Sequence, residues 1–311
     1  MKYKEWLEIW LDDYVVPYCK FRTCERYRQA VRNHILPKLG ECEIKRLTID
    51  KLQRFVRDLM DGGSLKSSGG LSSNTVNGII SVVQNSLKTA HTLGIVNNYI
   101  AGGIIRPKRD ERKVSCFTEK EQRKIEDACL SGKRRLLGIV ICLYTGLRIG
   151  ELLALKFSDV DFKRSLLFVT KTCYDVAGGR VIDKPKTQSS QRVIPLPKQI
   201  CDLIKKLKSS AESDYIIAEH QKPTMVRSYQ RTFERLLKKI GVPHKGFHAL
   251  RHTFATRALE CGMDIKTLSD ILGHKNATIT LNCYVHSLLE YKVSMMNKVA
   301  KNLHKKIHQI C

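Results

Sequence analysis

Apolar side chains recur every three to four residues from the start of the chain, which is the period of a helix with one buried face. Within residues 3–17, Trp6, Trp10 and Tyr14 fall four apart, a spacing that predicts core aromatics rather than a base-stacking surface. Residues 23–36 predict a second helix, stopped by Pro37 and Gly40. Thr48 predicts the N-cap of a helix running through Met60. The polar, Gly- and Ser-rich run 61–70 reads as a loop. Ser73 then predicts the cap of a long helix whose apolar stripe is Val76, Ile79, Ile80, Val83 and Leu87. No strand-like alternation interrupts this pattern, so residues 1–105 are expected to form an all-α domain.

The pattern changes after Ile105. Residues 106–116 are charged and contain Pro107, as in an interdomain linker. A second domain is expected over 117–288. Thr118 and Glu121 predict a capping box at its first helix, and 133–144 predict a strongly apolar helix. Residues 166–170, 180–182 and 192–196 predict three short strands, separated by turns at Gly178-Gly179 and Thr187–Ser190. Beyond them the pattern is helical to the end. The tail 289–311 places Val293, Met296, Val299 and Leu303 on one face and lysines on the other. The expected fold class is thus an all-α domain followed by a mostly α domain with a small three-stranded antiparallel sheet (α+β). No repeat of solenoid length is visible.

Charge narrows the function. Of 311 residues, 55 are Lys or Arg and 30 are Asp or Glu, a formal net charge of +25. Residues 1–110 hold 18 basic and 11 acidic side chains, a net of +7, and residues 111–311 hold 37 and 19, a net of +18. Both halves therefore suit the same polyanion, and nucleic acid fits better than an anionic membrane surface. No run of about 18 apolar residues predicts a membrane span. Met1-Lys2-Tyr3-Lys4 leads into an amphipathic stretch without the apolar core of a leader. None of the 11 cysteines forms a Cys-x-x-Cys pair, so neither a zinc ribbon nor a dithiol redox site is signalled. The expectation is a cytoplasmic protein with reduced thiols.

Four clusters carry candidate chemistry. In Thr145-Gly146-Leu147-Arg148-Ile149-Gly150-Glu151 a glycine turn delivers Arg148, with Glu151 one helical turn later. Alone, this reads best as a capped helix with a surface ion pair. Lys184 and Lys186 flank Pro185 on the expected hairpin, ahead of Arg192; such lysines are usually solvated. His248 and Arg251 are i, i+3 on a helix whose neighbours Phe247, Leu250 and Phe254 predict burial, so both need partners. His274 follows Leu272-Gly273, and Tyr284 comes ten residues later in a polar segment; a lone tyrosine there is more often a packing residue.

Together these residues ask for one reaction. Arginine is a fixed, bidentate clamp for phosphate oxygens. A phosphodiester in a five-coordinate transition state gains negative charge that two Arg and a His can stabilise. A tyrosine oxygen can attack phosphorus and stay attached, and a lysine can protonate the leaving 5′-oxygen. No acidic cluster suits two-metal catalysis, so the expectation is chemistry without metal or cofactor.

In order and spacing these residues resemble the tyrosine recombinases, the phage-type integrases. The family pattern is an Arg in a TGxRxxEL box, a hairpin Lys, an HxxR box, a His or Trp after LG, and a Tyr about ten residues on. It falls here on Arg148, Lys186, His248, Arg251, His274 and Tyr284, with Glu151 at the acidic position of the first box. The look is closest to integrases of phages and conjugative transposons of Gram-positive bacteria. The resemblance implies that Tyr284 forms a 3′-phosphotyrosyl bond and frees a 5′-hydroxyl. It implies that Arg148, Arg251 and His248 hold the scissile phosphate, that His274 adds a hydrogen bond and that Lys186 is the general acid. The spacing to Arg192 favours Lys186 over Lys184. Glu151 would support the geometry, and His252 and His286 would be structural.

The resemblance also implies a core-binding domain and a catalytic domain that clamp double-stranded DNA, and a homo-tetramer on two duplexes with the tail docked on a neighbouring protomer. An excisionase or a host DNA-bending protein could assist. Many members add an N-terminal arm-binding domain; this sequence starts directly with the core-binding helices. The competing readings are a dimer resolvase or DNA invertase with the same active site, a type IB topoisomerase, and a catalytically silent DNA-binding regulator. The last predicts a missing nucleophile or clamp arginine, and none is missing here.

Overall fold

The computed structural model describes residues 1–65, 68–110, 115–176, 178–183, 191–219, 221–274, 293 and 295–300. The chain divides into two compact units, Met1–Arg112 and Lys113–Cys311.

The first unit is all helical. Helix α1 (Tyr3–Ile9) runs into a π-helical turn, Trp10–Val15. Trp6 and Trp10 are buried. Their indole N–H groups donate to Ser86 O (3.1 Å) and Thr89 Oγ1 (3.2 Å) on α5 (Ser73–Thr92), so each large ring enters the core with its polar atom satisfied. Tyr14, inside the π turn, keeps its ring 6.1 Å from that of Trp6 but is 39% exposed, at the edge of the core. The second helix also departs from expectation. It comprises α2 (Phe21–Ala30), a π turn Val31–Ile35 and α3 (Leu36–Leu39), and it passes Pro37 without stopping. Leu36 N–H bonds to Val31 O, five residues back, and such a widened turn relieves the clash between a proline ring and the carbonyl four residues earlier.

Thr48 caps α4 (Ile49–Gly62) as predicted, accepting from Lys51 N at 3.2 Å. The cap of α5 is Ser72, one residue before the predicted Ser73, whose hydroxyl instead faces the Asp110 carboxylate at 3.2 Å. The charged run after Ile105 starts firmly attached to α5. Arg106 donates to Asn77 O (3.1 Å), Ser81 Oγ (3.2 Å) and Gln84 Oε1 (2.6 Å), and Asn77 Nδ2 donates to Pro107 O (2.9 Å).

The second unit opens on α6 (Glu119–Leu130), with the predicted Thr118–Glu121 capping box. The apolar helix α7 (Leu137–Thr145) is buried along most of its length and is followed by α8 (Ile149–Ala154). The three-stranded antiparallel sheet consists of β1 (Val160–Asp161), β2 (Leu166–Val169) and β5 (Arg192–Pro195), in the order β1-β2-β5. Its membership differs from expectation. Residues 180–182 belong to β4 (Gly179–Asp183), which pairs with β3 (Thr172–Val176) in a separate hairpin. Strand β3 buries only Cys173 and so lacks the alternation that marks a strand, while β1 is too short to carry a pattern.

Helices α9 (Lys198–Ser209), α10 (Val226–Lys239), α11 (His248–Glu260) and α12 (Ile265–Leu272) complete the unit. The expected all-helical run is broken by a small hairpin of β6 (Ala218–Glu219) and β7 (Lys222–Pro223). Phe117, Phe233, Phe247 and Tyr229 pack ring to ring in the core, with centroids 5.2–6.1 Å apart. In the tail, Val293 and 295–300 are helical, and Val293, Met296 and Val299 are exposed. No helix among the described residues is long and apolar enough to cross a membrane.

Candidate active site

Helix α7 ends at Gly146, whose φ of +64° is left-handed and suits a residue without Cβ. The turn buries Leu147 and sets Arg148 at the N-cap of α8. Three residues on, Glu151 returns to it: Oε2 accepts from Arg148 N at 2.9 Å and Oε1 from Arg148 Nη1 at 2.8 Å. This is not the surface pair that the local sequence suggests. Glu151 is 3% exposed, and Arg192 of β5 reaches it from the far side. Arg192 donates Nη1 to Oε1 (3.1 Å), Nη2 to Oε2 (2.8 Å) and Nε to Ile271 O in α12 (2.5 Å). Burial alone would raise the Glu151 carboxyl. The hydrogen bond and charge of Arg192, with the charge of Arg148, outweigh it and hold the group at about 2.

Arg251, on α11, is almost wholly buried. It donates Nη1 to Gly146 O (2.9 Å) and Nη2 to Leu272 O (2.6 Å), tying the end of α7 to the end of α12. A charge at that depth is tolerable because it is hydrogen-bonded to carbonyls. His248, one helical turn earlier on α11, reaches the surface. Partial burial first, then the charges of His252, Arg251 and Arg148, push its imidazole down to about 4, against the opposing pull of Glu151. His252 packs edge-on against it with centroids 4.6 Å apart. Burial and Arg251 lower His252 as well. Gly273, left-handed at φ +66°, ends α12 and presents His274. Burial, then Arg251, Arg148, His248 and Arg192, push His274 down to about 4. Both imidazoles are therefore neutral N–H donors near pH 7.

The structure thus brings Arg148, Glu151, His248, Arg251 and His274 within electrostatic reach of one another. Lys184, Lys186, Tyr284 and His286 lie outside the described residues. Sequence reasoning missed Arg192 as a member of this cluster and used it only as a spacing mark. An arginine opening a strand beside a polar turn reads as solvated, and its burial depends on a carboxylate forty-one positions away. Among the described residues, Arg148, Arg192 and Arg251 gather three guanidinium groups around the Glu151 carboxylate, a basic cluster that suits an anion with several oxygens, such as a backbone phosphodiester. Among the described residues, no group of three or more His, Cys, Asp or Glu could hold a metal ion.

Comparison with known proteins agrees with this chemistry. Residues 115–290 match the phage integrase family, and residues 2–60 match a phage integrase N-terminal SAM-like domain. The chain is 31% identical to a XerC-like tyrosine recombinase of Caldanaerobacter subterraneus subsp. tengcongensis, over 93% of this chain and 80% of that protein. It is 30% identical to the transposase of transposon Tn916 from Enterococcus faecalis, over 52% of this chain and 45% of that protein. The fold is similar to that of the Tn1549 transposon integrase solved with transposon right-end DNA. The TM-score is 0.81 at 24% identity, over 96% of this chain and all of that one. With matches across both units, the chain belongs to the phage integrase family, the tyrosine recombinases.

Proposed function

We propose that the protein is the integrase of a mobile element, and that it cuts and rejoins double-stranded DNA through Tyr284. The observation that carries this reading is the pairing of Arg148 and Arg251 through one turn: Arg251 is held by the carbonyl of Gly146, two residues before Arg148. Two fixed cations with neutral His248 and His274 beside them suit the non-bridging oxygens of a single phosphodiester. Arg148 retains 36% side-chain exposure, enough to meet such a ligand. In the proposed step the Tyr284 hydroxyl gives up its proton to solvent as its oxygen bonds to phosphorus, and the P–O5′ bond breaks. The proton for the leaving 5′-oxygen comes from Lys186. A 5′-hydroxyl from another strand then reverses the step and releases Tyr284, so the bond energy is conserved and no cofactor is consumed. Exchanging both strands of two duplexes needs four nucleophiles, one per copy, hence a tetramer on DNA.

Charge supports a role for the helical unit on DNA as well. Residues 20–38 hold six basic side chains and one acidic, a net of +5. The test is a suicide substrate nicked near the cleavage site. Wild type should form a covalent protein–DNA adduct, and Tyr284→Phe should form none; an adduct with the Phe variant would overturn the assignment. The second reading is a dimer resolvase with the same active site, acting at two like sites. Recombination of a circular element with an unlike target, set against recombination between direct repeats, separates the two.

A further inference from the structure

We propose that Arg192 is the positioning residue of this active site: one guanidinium that fixes Arg148 and the turn that presents His274. The inference rests on the recombinase reading and goes beyond it, since Arg192 is not among the residues that the family pattern picked out.

The geometry is that of a three-way tie. The Arg192 side chain is 5% exposed and Glu151 4%. Its Nη1 and Nη2 take one carboxylate oxygen each, and the same two oxygens hold Arg148 by Nη1 and by its backbone N–H. The Glu151 carboxylate is therefore shared between two arginines. Arg192 holds it on the buried side, and Arg148 is left with its outer edge toward solvent, where the phosphate would sit. The third bond, Nε to Ile271 O, reaches the last turn of α12, two residues before Gly273 and three before His274. Arg251 takes the next carbonyl, that of Leu272. Consecutive carbonyls at the end of α12 are thus each held by an arginine, and His274 is aimed by the turn that follows. Arg192 is also the first residue of β5 and is paired with Val169 of β2.

Lysine could keep the charge, but it has no planar fork and cannot make three bonds in these directions. A buried carboxylate stripped of its bidentate partner also binds a proton more readily. Loss of Arg192 should thus act on the reaction through Glu151 and α12, without touching the DNA.

The test compares wild type, Arg192→Lys, Arg192→Gln, Glu151→Gln and the double variant Glu151→Gln/Arg192→Gln, all as full chains. Mobility shift on uncleaved site DNA gives binding, and single-turnover cleavage of the nicked substrate gives the reaction. Arg192→Lys is expected to bind DNA within about twofold of wild type and to cleave about 10- to 100-fold more slowly, the scale of a small misplacement of reacting groups. Its cleavage should also fall off at a higher pH than that of wild type as the medium is acidified, because Glu151 is protonated more easily. The double variant should be no slower than the worse of the two single changes, as expected for groups acting as one unit. It also removes both buried charges together, which guards against misfolding of Arg192→Gln alone.

Wild-type rates and an unchanged acid limb in Arg192→Lys would overturn the positioning role. So would a loss confined to DNA binding, or losses that multiply in the double variant. Failure of wild type to form the adduct would instead sink the recombinase reading, so the two failures are distinguishable.

Discussion

Adding a single methyl group at Gly146 should disturb the site without removing any of its side chains. Gly146→Ala places a side chain in the left-handed region, which costs an L-residue about 1–2 kcal/mol. The new Cβ would lie 2.6 Å from Phe254 Cδ1 and 2.7 Å from Leu272 Cδ2, too close for either ring or methyl to stay in place. Both side chains pack in the small cluster of Ala255, Ala258, Leu259 and Leu268, where overpacking costs about 1–3 kcal/mol more. The sum, about 2–5 kcal/mol, corresponds to a fall in Tm of at least about 4 °C for a unit of this size. The displacement falls on the two residues whose carbonyls hold Arg251, namely Gly146 and Leu272. Cleavage of the nicked substrate should therefore drop well below wild type at temperatures where the variant is still folded. Thermal unfolding and single-turnover cleavage measure the two effects. A Tm within about 1 °C of wild type, or full cleavage activity with a lowered Tm, would refute the coupling between this turn and Arg251.

The remaining expectations concern other parts of the molecule. Thr253→Val removes the hydroxyl that accepts from the buried Phe117 N–H at 2.8 Å, and should cost about 1–3 kcal/mol in urea unfolding while Thr253→Ser costs less. In acid, His248 and His274 titrate at about 4 in the native state but at about 6.5 when unfolded, so the unfolded chain binds more protons between those values. Stability should therefore fall as pH drops from about 6.5 to about 4, and Glu151, held at about 2, should add its own loss only below about 4.5. Urea unfolding across that range should show a shallower fall in His248→Gln/His274→Gln than in wild type, with His252, lowered by burial and Arg251, keeping part of the slope; an equal fall in the two proteins would refute the contribution of these imidazoles. Replacing Arg22, Arg26 and Arg32 together by Gln should lower the slope of log K against log salt by about 0.9 for each phosphate that these side chains neutralise in the wild-type complex. An unchanged slope would place the DNA-contacting face elsewhere.

What the sequence could reveal divides along a physical line. Patterns written in neighbouring residues were legible: the Thr48 and Thr118 caps, the stripe Val76–Leu87, the burial of Trp6 and Trp10, and the glycine turns before Arg148 and His274. Features set by an added or absent neighbour were not. The π turns at Trp10–Val15 and Val31–Ile35, the second of which carries the helix past Pro37, have no signature in side-chain type. The pairing of β4 with β3 rather than with β2 depends on partners that the alternation of one strand does not name. The site follows the same rule. Its donors and the Glu151 carboxylate could be read from the sequence, because charged side chains are conspicuous, but the backbone acceptors could not. Arg251 is held by the carbonyls of Gly146 and Leu272, and Arg192 by Glu151 and the carbonyl of Ile271, and a carbonyl belongs to every residue alike. The ends of α7 and α12 and the first turn of α8 converge, and carbonyls left open at helix termini become the sockets for cations. The cluster is thus assembled from helix ends as much as from side chains. The residue hardest to find in the sequence, Arg192, joins two of them, the first turn of α8 and the last turn of α12, to the sheet.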